Sequence, residues 1–176
     1  MQGRELGSWW HLFRRFIEVA TARRLSESER TFVDSLLDNR AEGSLFFGQA
    51  RADRRHAFRA AHKMSLLAPG RRDLARAALL HDVGKRHARL GIVGRSVASA
   101  LAKLRLRPSG RLAVYLDHGR LGAIDLDGAG CEAVVTGFAH HHHEIRPDSI
   151  SRADWALLEL ADSPGKAPDT PPAAIR

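Results

Sequence analysis

A histidine and an aspartate are adjacent at positions 81 and 82, and both side chain types are good ligands for a divalent metal ion. His81 follows Leu74, Ala77 and Ala78 with the spacing i, i+3, i+4 and i+7, which predicts a helix that turns His81 towards the core. Gly84 then permits the chain to stop or turn. A single His-Asp pair at the end of a helix is more often structural. Its meaning therefore depends on partners elsewhere in the chain.

Further histidine and aspartate side chains align with the apolar stripes of other predicted helices, namely His56, His118, His142 and Asp162. Among the four consecutive histidines at 140–143, His142 continues the apolar stripe of Val135, Phe138 and Ala139, so it is the one best directed towards the core. Burying Asp162 unpaired would cost several kcal/mol, whereas a metal or a histidine cluster would satisfy it. Several buried histidines with two carboxylates in an apolar bundle therefore predict a metal centre.

The elements that must position these side chains are almost all predicted helices. An amphipathic helix between Trp9 and Ala20 has a basic opposite face, which favours packing on its own domain or on a second subunit over a membrane surface. A capping box at Ser26–Glu29 starts the next helix, and Asn39 and Gly43 mark breaks before a charged helix start at Asp53.

Two more helices are predicted in the second half of the chain before the histidine run. Residues 91–104 repeat helical spacing, and Pro108 breaks that segment. A helix from Leu112 is expected to continue through Tyr115 to His118. Ser151 begins the last helix as its cap, and the proline-rich residues 164–176 are expected to be disordered.

Length and composition indicate one soluble globular domain. The chain has 176 residues, of which 44% are hydrophobic and 27% charged. The net charge of +8 rests mainly on arginine, which suits an anionic substrate or nucleic acid, although a general preference for arginine over lysine explains it more simply. A single cysteine, Cys131, agrees with a reducing compartment, and no apolar run approaches the ~20 residues of a membrane span. We expect a cytoplasmic protein without a signal peptide.

The order of these residues resembles the HD superfamily of metal-dependent phosphohydrolases. The segments RHAFRAAHKM, RAALLHDVGK and LLELADS are similar to its first, second and last motifs, over about residues 53–163. The resemblance implies an all-α fold, an HD-domain helical bundle of five core helices with a metal site at its centre. It divides the chain into N-terminal helices packing on the core (1–50), the phosphohydrolase domain (51–163) and the tail (164–176).

The same resemblance implies a set of metal ligands. It assigns His56, His81, Asp82 and Asp162 to one metal. The segments HGRLGA and HHHE are similar to motifs of the branches that hold two metals, which assigns His118 and His142, or His143 instead, to the second. The glycine-tyrosine-proline sequence that marks the cyclic dinucleotide branch is replaced by IRPDS after Glu144, so that activity is not expected.

The expected chemistry is hydrolysis of a phosphate ester or anhydride of a nucleotide or related small molecule. One or two metals per chain, Fe, Mn, Co or Ni with Zn or Mg as alternatives, would lower the pKa of a bound water to ~7. Asp82 could bridge two metals and orient the nucleophile. Lys85 is a candidate for phosphate contact or leaving-group partner, equally well explained as a solvated helix end. Arg59 and Arg146 are weaker candidates for substrate binding.

Two functional alternatives accompany this interpretation. The chain could be a catalytically silent HD-type module that binds metal for signalling, although such a module need not keep a complete ligand set. It could be an arginine-rich nucleic-acid binder, but its aromatic residues fall on core stripes rather than between the basic residues. The sequence also leaves open whether the chain forms a homodimer. Within the superfamily, HGRLGA resembles the dinucleoside tetraphosphate hydrolase branch more than the single-metal nucleotidase branch.

Overall fold

The computed structural model describes residues 23–91 and 108–163, together with Gly94, Val97 and Leu101. In this part of the chain every regular element is helical, and none of the described residues forms a strand. In chain order the elements are α1 (Glu27–Leu36), α2 (Arg40–Phe47), α3 (Arg51–Leu67), α4 (Arg72–Leu80), a 3-10 helix (Val83–Ala88), α5 (Gly110–Leu116), α6 (His118–Gly128), α7 (Ala133–His141) and α8 (Arg152–Asp162). The predicted all-α bundle is confirmed at this level.

Some sequence predictions concern residues outside the described part of the chain. These are the amphipathic helix between Trp9 and Ala20, most of the helical segment 91–104, and the disordered tail 164–176. The three-part domain division likewise stays a prediction. Among the described residues, no helix is long and apolar enough to cross a membrane.

The helix caps follow the sequence closely. Ser26 forms the predicted capping box with Glu29, since each residue's side chain accepts a hydrogen bond from the other's backbone N–H. Ser151 caps α8 by accepting from the backbone N–H of Asp154. These side chains satisfy N–H groups that have no partner within the helix, and so fix where α1 and α8 begin.

Two predicted boundaries are wrong. Gly43 lies inside α2 rather than at a break, because Asn39 caps that helix by accepting from the backbone N–H of Glu42. The helix from Leu112 does not continue to His118. It ends at Leu116, and His118 is the first residue of α6. Apolar spacing could not detect this break because both helices keep an apolar side.

Helix α4 is the central element of the bundle. All seven residues from Leu74 to Leu80 are buried, and α4 contacts α1, α2, α3, α7 and α8. A helix enclosed on all sides holds its C-terminal residue in a fixed place. His81 follows directly as the C-cap and is itself buried, so the fold delivers it to the centre of the bundle.

A buried ion pair ties α2 to α4. Glu42 is 0% exposed and Arg76 is 2% exposed. The guanidinium of Arg76 donates to both carboxylate oxygens of Glu42, with distances of 3.0 Å from Nε and 2.5 Å from Nη2. It also contacts the carboxylate of Asp38, and Glu42 accepts from the backbone N–H of Asp38 at 3.0 Å. The fully bonded geometry compensates the cost of burying both charges.

We predict that Arg76→Met destabilises the fold by about 3–5 kcal/mol, because Glu42 would then be a buried charge without its cation. The double variant Arg76→Met with Glu42→Gln should recover a large part of that loss. Urea denaturation followed by circular dichroism measures both, with Arg40→Met, an exposed arginine of α2, as the control. Equal stability of Arg76→Met and Arg40→Met would contradict the assigned importance of the pair.

Candidate metal centre

The carboxylate of Asp82 lies where the elements of the site converge. Asp82 follows α4 and precedes the 3-10 helix, and it is 1% exposed. Its Oδ2 lies 2.5 Å from Lys85 Nζ, 3.4 Å from His81 Nε2 and 3.9 Å from His56 Nε2. Burial raises the pKa of Asp82, but His81 and Lys85 lower it by more, so it stays well below its usual value. Asp82 is therefore an ionised carboxylate anchored by Lys85.

The other oxygen of Asp82 faces two more histidines. Oδ1 lies 3.3 Å from His118 Nε2 and 3.5 Å from His142 Nε2. It is buried, and it makes no hydrogen bond with any of the described residues. A buried carboxylate oxygen without a hydrogen bond is costly unless a cation satisfies it.

Asp162 completes the first group of ligands. Its Oδ1 lies 2.8 Å from His56 Nε2 and 3.2 Å from His81 Nε2. Burial raises the pKa of Asp162, but His81 and His56 lower it by more, so the pKa lies below its usual value and the carboxylate is ionised. Helices α3, α4 and α8 thus bring His56, His81, Asp82 and Asp162 together, as the resemblance implied.

Backbone carbonyls fix the ring orientation of three histidines. In each, Nδ1 donates to the carbonyl three residues earlier: His81 to Ala78 at 2.9 Å, His118 to Tyr115 at 2.7 Å and His142 to Ala139 at 2.9 Å. A proton held on Nδ1 leaves Nε2 as the atom presented to the site. This is the arrangement typical of metal-ligating histidines, because the second ring nitrogen is anchored by the protein.

Two of these Nε2 atoms face each other. His118 Nε2 and His142 Nε2 are 3.2 Å apart, and Asp82 Oδ1 lies beside both. Burial lowers the pKa of His142, so its Nε2 is unprotonated at neutral pH. Two imidazole nitrogens that both presented a lone pair would repel each other at this distance, and a cation between them would remove that repulsion. The residues present therefore fit a metal ion in both donor type and arrangement.

A different charge state holds at His81. Burial lowers its pKa, but Asp82 and Asp162 oppose this more strongly and raise the pKa to about 10. Without a metal, His81 therefore carries a proton between two carboxylates. A divalent cation among these ligands would take the place of that proton.

The candidate ligand atoms form two groups, and within each group all the atoms lie within 4.8 Å of one another. The first group is His56 with His81 and Asp82, and the second is His118 with His142 and His143. Both the preferred His142 and the alternate His143 thus lie beside His118. Burial, His142 and His118 lower the pKa of His143 to about 3, which leaves it neutral. The remaining two histidines of the run, His140 and His141, belong to neither group, and His141 pairs with Glu144 at 3.1 Å.

Glycines set how closely α6 approaches this centre. A Cβ on Gly84 would collide with the carbonyl oxygen of His118 and lie 2.6 Å from the backbone N of Gly122. A Cβ on Gly119 would lie 2.7 Å from the carbonyl oxygen of His140. Gly84 is thus needed for backbone contact as well as for the turn that the sequence predicts. These contacts place His118 against Asp82 and His142.

A cavity of about 520 Å³ opens beside the ligands, within the size range of small-molecule sites. The predicted residues that line it are His56, Arg59, His81, Asp82, Lys85, His142, His143 and Asp162. His118 is buried next to them. Arg146 is not brought to the cavity, since its guanidinium donates to the carbonyls of Pro147 and Ile150.

Other residues in the wall, which sequence reasoning did not propose for the site, include Phe58, His62, Lys63 and Glu159. Lys63 had a signal that could have found it, because it lies seven residues after His56 and so on the same side of α3.

No protein-family model, curated protein or solved structure matches this chain. The resemblance to the HD superfamily therefore depends on the motifs quoted above.

We predict that His142→Ala lowers metal content by about one ion per chain from a starting value near two, because it removes a ligand whose Nε2 faces Asp82 Oδ1. His140→Ala is the matched control, because His140 lies two residues earlier in the same run and belongs to neither ligand group. This variant should keep its full metal content. Elemental analysis of untagged protein after dialysis measures both. A larger loss in His140→Ala would move the ligand within the run.

Gly84→Ala should destabilise the fold by about 1–3 kcal/mol and lower the same metal content, since the added methyl pushes α6 and His118 away from Asp82. Gly43→Ala is the control, because a Cβ there would meet only Leu37 Cδ1, at 3.9 Å. It should be neutral or slightly stabilising within α2. Denaturation and elemental analysis report the two effects separately. Similar behaviour of both variants would contradict the steric role of Gly84.

Proposed function

We propose that this chain is a metal-dependent phosphohydrolase that acts on a nucleotide or a related phosphate ester or anhydride, with two metal sites that share Asp82. The observation that carries the proposal is the convergence of imidazole nitrogens and carboxylate oxygens on one buried point. Asp82 Oδ1, His118 Nε2 and His142 Nε2 lie within 3.5 Å of one another, and Asp82 Oδ1 is buried without a hydrogen bond among the described residues. Two divalent cations would satisfy this set together with His56, His81 and Asp162.

The cavity beside the ligands favours catalysis over a purely structural or sensing role. Structural metal sites are closed by four protein ligands, whereas catalytic sites keep a position open to water or substrate. Here His56 is 41% exposed in its side chain and lines the cavity along with Asp162. A silent signalling module would not require an opening of about 520 Å³ at the ligands.

A bound divalent metal would supply an acidified water and offset the negative charge of a phosphoryl group. The chain's own residues supply the rest. Asp82 presents one oxygen to each ligand group, so it sets their relative position. In this scheme Asp82 would also orient the attacking water. Both His118 and His142 are held by backbone carbonyls, so the ligand set needs little reorganisation.

Lys85 acts as a positioning residue in this scheme. Its ammonium is buried and donates to Asp82 Oδ2 at 2.5 Å. Burial lowers the pKa of Lys85, but Asp82 raises it by more, so the side chain is charged. The contact holds Asp82 ionised and fixes its rotation, so that Oδ1 points to His118 and His142.

We predict phosphate release from one group of nucleotides or dinucleoside polyphosphates when Mn, Co, Ni or Fe(II) is supplied, and none after chelation. Asp82→Asn should lower the rate by about 100-fold or more, because both ligand groups lose their shared carboxylate. His140→Ala is the control and should keep wild-type activity. A colorimetric phosphate assay, run beside elemental analysis, tests this.

Other outcomes of that experiment discriminate between the hypotheses. About two metals per chain without turnover of any substrate would favour the signalling module. About one metal with activity would favour a single-metal nucleotidase, in which His118 and His142 contact the substrate instead. Absence of metal from the folded protein would contradict the proposal altogether.

A further inference from the structure

Lys63 is a buried cation in the wall of the cavity. It lies in α3, seven residues after His56 and four after Arg59, so the three side chains occupy one side of the helix. Side chains on a helix lean towards its N-terminus, which directs the ammonium of Lys63 back towards His56. Lys63 is only 7% exposed, although burying a lysine is costly.

The position of the ammonium is fixed by α8. Lys63 Nζ donates to the carbonyl oxygen of Ser163 at 3.3 Å. Ser163 is bonded to Asp162, whose Oδ1 lies 2.8 Å from His56 Nε2. The ammonium is therefore next to the ligand group of His56, His81, Asp82 and Asp162, on its cavity side. An ammonium has three N–H donors, and the Ser163 carbonyl occupies one of them.

The other cations named for substrate binding are placed differently. Lys85 Nζ is held against Asp82 Oδ2 at 2.5 Å. Arg146 is bound to the carbonyls of its own loop and does not line the cavity. Arg59 lines the cavity but is exposed. Among the described residues, Lys63 is thus the buried cation that lines the cavity and is not hydrogen-bonded to one of the candidate carboxylate ligands.

We propose that Lys63 is a phosphate-binding residue of this cavity, donating to oxygens of a phosphate group that reaches the His56 ligand group. The substrate class is a molecule with an anionic phosphate end, which Lys63 holds against the ligands while Arg59 contacts it from the cavity mouth. The inference rests on the proposed phosphohydrolase function. It moves the phosphate-binding role from Lys85 and Arg146 to the α3 side of the cavity.

A purely structural role for Lys63 is also easy to define. Lys63 donates to the carbonyl oxygen of Ser163, the residue that follows the last residue of α8. A cation at this position stabilises the C-terminal end of a helix. Such a role would change stability in a variant but would leave anion affinity unchanged. Phosphate affinity and stability must therefore be measured on the same variants.

The test is calorimetric titration of inorganic phosphate into the full chain loaded with Mn, for the wild type, Lys63→Gln, Lys63→Met and Lys63→Arg. Lys63→Gln keeps a donor for the Ser163 carbonyl but removes the charge, so it separates the two roles. We expect about tenfold weaker phosphate binding in Lys63→Gln and Lys63→Met, with unchanged Mn content. Lys63→Arg should restore affinity to within about threefold. Arg51→Met, an exposed cation of α3 outside the cavity, should bind as the wild type does.

Wild-type affinity in Lys63→Gln would overturn the inference, and so would a Mn-loaded wild type that binds no phosphate. If Lys63→Met is too unstable to purify, Lys63→Gln and Lys63→Arg still give the comparison of charge. Turnover decides a separate question. Phosphate binding that depends on Lys63, without hydrolysis of any substrate, would support this site while contradicting the hydrolase proposal.

Discussion

Crowding of hydrogen-bond acceptors around Asp82 is the constraint on which the rest of the structure depends. One carboxylate, buried at the end of the most enclosed helix, faces histidines from α3, α4, α6 and the end of α7. In three of these rings, Nδ1–H donates a hydrogen bond to a backbone carbonyl. The protonated His81 and the ammonium of Lys85 supply positive charge on the Oδ2 side of Asp82, whereas Oδ1 makes no hydrogen bond with any described residue. A buried acceptor of this kind is costly, and a metal ion would remove that cost.

Several features of the bundle serve to hold that arrangement in place. Complete burial of α4 fixes His81 and Asp82, and the Arg76–Glu42 pair attaches α2 to that same helix. Gly84, Gly119 and Gly122 let the backbones of α6, α7 and the 3-10 helix touch, so that His118 meets Asp82 without a side chain between them. Two backbones in direct contact can shift relative to each other less than two helices separated by side chains. This suits a site that must hold its ligand atoms within a few tenths of an ångström.

The sequence predicted the helical fold and most of the candidate site, because helical periodicity states which side of a helix faces the core. Helical periodicity alone predicted that His56, His81 and His142 face the core. Asp82 was predicted because it is adjacent to His81. Periodicity failed where tertiary contact decides. The break before His118 leaves no gap in the apolar pattern, and the buried Arg76 looks like any surface arginine until Glu42 is placed opposite it. The steric role of Gly84 depends on the His118 carbonyl, 34 positions away in the sequence. Lys63 lies on the His56 side of α3, but lysines are rarely buried, so the sequence alone does not place it in the cavity wall.

The two ligand groups differ in charge, and this difference gives them different parts in the proposed chemistry. The group of His56 and His81 has the carboxylates of both Asp82 and Asp162, whereas the group of His118, His142 and His143 has Asp82 alone among the described carboxylates. In the proposed two-metal centre, a divalent cation would therefore be held more strongly by the first group. A cation at the second group would keep more of its own charge available for a phosphate oxygen. Because Asp82 lies beside both groups, a cation at the first would weaken what Asp82 offers to the second. The shared carboxylate would thus couple the two sites, and the Lys85 contact to its Oδ2 favours the rotation that leaves Oδ1 for the second site.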